Sequence, residues 1–265
     1  MGETKLKIND IAGAYRSLLT ETGQLFGDAD RQSIKSMIRR YRSADSGGHT
    51  ADIEGVDRLW RSLATAAELS RSIAPDRNMV SAILYFPLYQ AGLATAADIT
   101  AGAEADVATL VEGLAKVQEL YSRHGVVASE NFRNLMLTLA RDIRVVIIMI
   151  VDRLVVMRAI NHHPDEEMVR KTAMESNYLY APLAHRLGLY KIKGELEDLS
   201  LKYTNREMFT RIATKLNATK RSRDAYIESF IRPVKDARAS GLEIRNKRPY
   251  QIHLFHLEQD DEAAQ

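Results

Sequence analysis

Val145-Val-Ile-Ile-Met-Ile-Val-Asp-Arg153 decides how this chain folds. From Val145 to Val151 no polar side chain intervenes. A helix built from that run is apolar on every side, so it belongs in the middle of a bundle. Asp152 and Arg153 then interrupt it. An unpaired buried charge is too costly to keep. A carboxylate at this point is therefore paired, bound to a metal, or set at the rim of a cavity.

On either side, apolar residues recur at helical spacing and Pro and Gly are sparse. The pattern predicts helices at about 8–26, 30–43, 56–73, 77–86, 103–121, 129–160 (broken near Ala140), 164–187, 190–203 and 205–239. Ser129 can cap the segment after it. Pro164 with Asp165, Glu166 and Glu167 suits a first turn, where proline loses no bond and acids meet the helix dipole. Thr204 with Glu207 reads as a capping box. Gly188 and Gly241 stand where helices should stop. Ala44 to Thr50 reads as a loop, and no repeat or low-complexity tract is visible.

Composition narrows the function. The 265 residues are 45% apolar, enough to build a proper core. With 37 basic and 35 acidic residues the net charge is +2, which argues against bulk, charge-driven nucleic-acid binding. With no cysteine, disulfides and thiolate chemistry are excluded. Met1 to Asp10 is too polar for a signal peptide. The apolar run falls far short of the roughly 20 residues a membrane span needs. A cytoplasmic protein is expected. GETK and GLYKIKG lack the spacing of a phosphate loop.

Three stretches carry a resemblance: NFRNLMLTLARDIRVVIIMIVDRLVVMRAI from Asn131, YLYAPLAHRLGLYKIKGELEDLSLKY from Tyr178, and KRSRDAYIESFIRPVK from Lys220. Together they resemble the RelA/SpoT family, which makes and breaks (p)ppGpp. The block Tyr180 to Gly188, followed by Glu195 to Leu199, is the most specific part. The likeness covers roughly residues 57–244 and is weakest before Asn131. It implies an all-α, HD-domain-like helical bundle over residues 1–187, then connecting helices over 188–241. The start of a synthetase strand and a non-family tail would occupy 242–265. In the family the HD-type domain removes the 3′-pyrophosphate of ppGpp with a bound manganese ion, and the magnesium-dependent synthetase follows.

A hydrolase of this kind needs imidazoles and carboxylates to hold a divalent ion and orient water. Matching Ala82 to Ala91 to the family's His-Asp segment puts Phe86 and Pro87 where that pair belongs. Gln90 and Ala91 replace the two acids after it. The first histidine falls at Ser62 by spacing. Of the late pair, Asp152 is kept and Val156 replaces an asparagine. One remaining ligand does not hold a catalytic cation, so the resemblance implies an inactive hydrolase with no cofactor of its own.

The tail from Arg248 reads RPYQIHLFHLEQD. With suitable synonymous codons, dropping one base converts it to Gly-Arg-Thr-Lys-Ser-Ile-Tyr-Ser-Ile-Trp-Asn-Lys, the kind of motif that opens the family's synthetase. The expectation is a one-base frame change between about Ile244 and Arg248, which the gene sequence tests.

Other candidates have plainer readings. Asp152 is expected to pair with an arginine such as Arg153 or Arg144. His162 and His163 read as a surface turn before a capped helix, and His185 as a packing residue. Met149 and Met157 read as core. Lys215, Lys220, Arg221 and Arg223 form a basic helix face. Nucleotide or regulatory contacts, if present, would fall on Arg153, Met157, Arg158, Arg221 and Arg223. Three functions compete. The leading one is a regulatory pseudo-hydrolase whose partner is the synthetase half. The second is a working phosphohydrolase with a displaced site at Asp142, Asp152 and His185. The third is a binding module for guanine nucleotide or for a ribosomal or protein partner.

Overall fold

A computed structural model describes residues 10–44, 55–102, 105–124 and 142–239. Every regular element among them is helical. The order is α1 (Ile11–Glu21), α2 (Asp28–Ala44), α3 (Arg58–Ile73), α4 (Arg77–Gln90), α5 (Ala96–Gly102), α6 (Ala105–His124) and α7 (Ile143–Ala159). A 3-10 turn (Ile160–His162) leads to α8 (Glu166–Glu175), a π-helical segment (Ser176–Tyr180), α9 (Ala181–Arg186), α10 (Tyr190–Thr204) and α11 (Arg206–Ala239). No helix among the described residues is long and apolar enough to cross a membrane. Ser129, Gly241, the loop after Ala44 and the tail from 242 lie outside the described residues, so the readings made there do too.

The all-α bundle matches the sequence reading, and α7 is its centre. Val145, Ile150, Val151, Leu154, Val156 and Met157 are all at most 1% exposed. α3, α4, α6, α9 and α10 pack around it. Gly113 lets α6 come close, since a Cβ there would stand 2.8 Å from Cγ2 of Val145.

Short polar side chains start the helices. Asp57, Asp76, Asp142 and Asp165 each accept a backbone N–H from the first turn of α3, α4, α7 and α8. Two expected starts shift by a residue or two. Asp165, not Pro164, opens α8. Asn205, not Thr204, caps α11 through the Met208 N–H, while the Thr204 hydroxyl donates back to the Ser200 carbonyl. Gly188 ends α9 at φ +72°, a left-handed conformation glycine adopts without strain.

Three elements depart from the expected pattern, and α1 is one of them, since it ends at Glu21 and not near residue 26. α5 was not anticipated, and α4 does not stop at Phe86. It runs through Pro87 to Gln90.

Candidate functional site

The positions that the resemblance matches to the family's metal motif lie where α3, α4 and α7 meet. Proline within a helix removes the N–H that should bond the carbonyl four residues back. For Pro87 that carbonyl is Ile83. The buried Ser62 hydroxyl donates to the Ile83 oxygen at 2.7 Å. A side chain of α3 thus supplies the bond that Pro87 takes away, which explains how α4 continues past it. Two positions assigned to the lost metal motif, Ser62 and Pro87, serve one structural arrangement.

Asp152 does not pair with Arg153 or Arg144. Its partner is Arg61, one residue before Ser62. The Arg61 Nε–H donates to Oδ1 at 2.7 Å and Nη2 donates to Oδ2 at 2.5 Å. The Thr65 hydroxyl adds a bond to Oδ1 at 3.2 Å. Such a two-point pair is the strong form of carboxylate recognition by arginine. The sequence reading missed Arg61, because a pair spanning 91 residues leaves no trace in periodicity.

The other positions are occupied in other ways. Gln90 donates to Gln118 of α6 at 2.5 Å. Ala91 is an exposed C-cap. Val156 is fully buried, Pro87 is buried and Phe86 packs against the core. These residues do not make the donor set a manganese ion takes, which needs several oxygen or imidazole ligands at one point. Among the described residues no group of three or more His, Asp or Glu side chains is arranged to hold a metal. The displaced-site reading meets the same difficulty. Asp142 and Asp152 lie ten residues apart on one helix, about 15 Å along its axis. His185 is exposed and sits edge-on to Tyr190, 5.7 Å between ring centres.

Arg144, at the start of α7, binds Asp106 at 2.7 Å, Asp142 at 2.6 Å and Asp76 at 3.2 Å. One guanidinium thereby ties the N-termini of α4, α6 and α7. Hydrogen bonds from Arg144 hold the Asp106 and Asp142 carboxyls below their ordinary range.

Arg153 and Met157 are buried and face inward. Arg153 lies 3.4 Å from Glu175 and stacks over the Tyr180 ring at 4.7 Å, in the π-helical segment. Arg158 is more open. Its Nη1 meets Glu68 of α3 at 2.8 Å, and its Nε and Nη2 donate to Glu195 of α10 at 2.5 and 2.7 Å. Burial alone would raise the Glu68 carboxyl, but bonds from Ser72 and Arg158 and the charges of Arg158 and Arg71 bring it below its ordinary value. The same seam holds two more ties. The Tyr203 hydroxyl donates to the Met157 carbonyl at 2.8 Å, and Lys202 donates to Asn161 at 2.5 Å. Burial pushes the Tyr203 hydroxyl up to about 12. The side chains of Arg221 and Arg223 lie outside the described set. His163 accepts the Asp165 N–H in the turn before α8.

A separate cavity of about 480 Å³ opens between α2, α4 and the α5–α6 region, lined by Ser33, Arg77, Asn78, Ser81 and Tyr85 among others.

Comparison with known proteins fits this architecture. A family model described as HD domain matches residues 48–190. The chain is 34% identical over 178 residues to a GTP pyrophosphokinase of Myxococcus xanthus, covering 66% of this chain and 23% of that protein. It is 32% identical over 180 residues to a GTP pyrophosphokinase of Escherichia coli strain K12, covering 65% and 24%. It is also 33% identical over 152 residues to a guanosine-3′,5′-bis(diphosphate) 3′-pyrophosphohydrolase of Aquifex aeolicus, covering 55% and 21%. The chain thus spans under a quarter of the length of these relatives. It belongs to the HD domain family, as a member of the RelA/SpoT type.

Proposed function

We propose that this chain is a catalytically inactive ppGpp 3′-pyrophosphohydrolase domain that regulates a synthetase half, a GTP pyrophosphokinase, through α10 and α11. The observation that carries the reading is the Arg61–Asp152 pair. The one carboxylate kept from the family's metal motif is spent on a guanidinium. Ser62, at the first-histidine position, is spent on the Ile83 carbonyl. Little remains at these positions to bind an ion or activate water.

The regulatory part rests on the α7–α10 seam. Two catalytic halves influence each other only when each stabilises a different arrangement of what joins them. The helix that carries Asp152 also carries Arg158, which binds α10 through Glu195. Displacement of α7 would therefore reach the helix that leads on to α11. A role in (p)ppGpp metabolism, the stringent response and a cytoplasmic setting accompany this reading. The test is Arg158→Ala in the polypeptide that carries both halves. A changed rate of pyrophosphate transfer to GTP, with the fold intact, supports the proposal. An unchanged rate removes its regulatory part.

A second reading, a guanine-nucleotide-binding module, is favoured by the cavity beside α4, which has room for a small ligand and polar groups in its wall. Saturable GDP or ppGpp binding that is lost in Asn78→Ala would support it.

A further inference from the structure

We infer that Arg61 is the resident cation of the degenerate site: its guanidinium stands in for a divalent ion at Asp152 and excludes one. The inference rests on the pseudo-hydrolase reading and adds a residue to it. Inactivity would then come from a gain as well as a loss. The missing histidines remove ligands, and Arg61 occupies the ligand that is left.

Three observations support this. Both Asp152 oxygens accept hydrogen bonds from Arg61, so an ion would have to compete with the guanidinium at each coordinating atom. The pair is largely shielded, with side chains 20% and 28% exposed, so water screens it only partly. Arg61 also comes from the same turn of α3 as Ser62, the position matched to the first histidine, so its charge enters from the side where that ligand would stand. A divalent ion approaching Asp152 would meet a fixed positive charge and a carboxylate that must first be freed. Like charges this close repel, and an effective dielectric well below that of water strengthens the repulsion. The arrangement predicts that restoring the histidines is not enough.

The experiment compares two proteins. One carries Ser62→His, Phe86→His and Pro87→Asp with Arg61 kept. The other adds Arg61→Leu. Manganese binding is read from the loss of the free-ion electron paramagnetic resonance signal, and folding from circular dichroism. Removing Arg61 is expected to tighten manganese binding by at least roughly tenfold, the scale on which groups contacting a metal ligand act. Equal affinity in the two proteins overturns the inference.

Where the restored chains do not fold, chemical rescue decides. Arg61→Gly leaves Asp152 without its cation. Millimolar guanidinium chloride is expected to raise the melting temperature of that variant above the value in equal sodium chloride, and to do nothing for Arg61→Gly with Asp152→Asn. A side chain that merely fills space would give the same response in both variants, and that result overturns the inference. Manganese-dependent hydrolysis of ppGpp by the unsubstituted chain would instead sink the pseudo-hydrolase reading, so the two failures remain distinguishable.

Discussion

The two sides of α7 differ in what their polar residues are for. On the side toward α3 and α4, Asp152 and the residues around it are closed on one another: Arg61 takes Asp152, and Ser62 takes the carbonyl that Pro87 leaves open. On the side toward α10, Arg158 donates to Glu195, and α10 answers with Tyr203 and Lys202, which donate to the Met157 carbonyl and to Asn161 in the turn after α7. In the proposed reading, the first side is a site given over to packing. The second is a joint. On that reading the domain lacks its chemistry and keeps its influence, because the joint lies on the helix that carries Asp152.

Substitutions break or sharpen this contrast. The largest effect is expected from Val156→Asn, the residue that the resemblance places at this position. Val156 is fully buried in an apolar setting, and an amide there without partners should cost about 3 kcal/mol, read by urea unfolding. Tolerance of the asparagine would mean that a polar pocket persists. Next comes Arg61→Met, expected to cost about 2 kcal/mol, less than for a fully buried pair because both partners keep some exposure. Combining it with Asp152→Leu should recover most of the loss. Ser62→Ala follows, at about 1–2 kcal/mol for a buried carbonyl left open. That loss should shrink in a Pro87→Ala background, where the helix supplies its own N–H to Ile83. Equal losses in both backgrounds would break the link between the two positions.

On the joint, Arg158→Ala should cost roughly 1 kcal/mol at most, since its side chain is 39% exposed and solvent screens it. Under the proposed regulatory role its effect is expected in the rate of the synthetase half, not in stability. The smallest effect concerns pH. Asp106, Asp142 and Glu68 have lowered pKa values. A lowered carboxyl stabilises the fold above its unfolded pKa, about 4. The contribution fades as pH falls below that and through the lower folded value. Melting temperature should therefore drop as pH falls below about 4, less steeply in Arg144→Met.

Much of this was legible in sequence. The run Val145 to Val151 announced a central helix, and the block from Tyr180 to Gly188 announced the family. What escaped detection was short or long-range. α5 has one buried residue, Ile99, so periodicity could not show it. The signal lay in Thr95 and Asp98, which cap each other reciprocally at 2.8 and 3.2 Å. α4 runs past Phe86, where the pattern predicts its end, because Pro87 does not stop it. The carbonyl four residues before Pro87 was an available clue, but its donor on α3 is a tertiary fact. Arg61 was invisible for the same reason, and the expected partners of Asp152 were only its neighbours along the chain.

The most direct measurement is pyrophosphate release from ppGpp by this chain with manganese. The account expects no release above the rate with manganese alone. Release that scales with protein concentration and disappears in Asp152→Asn would contradict it.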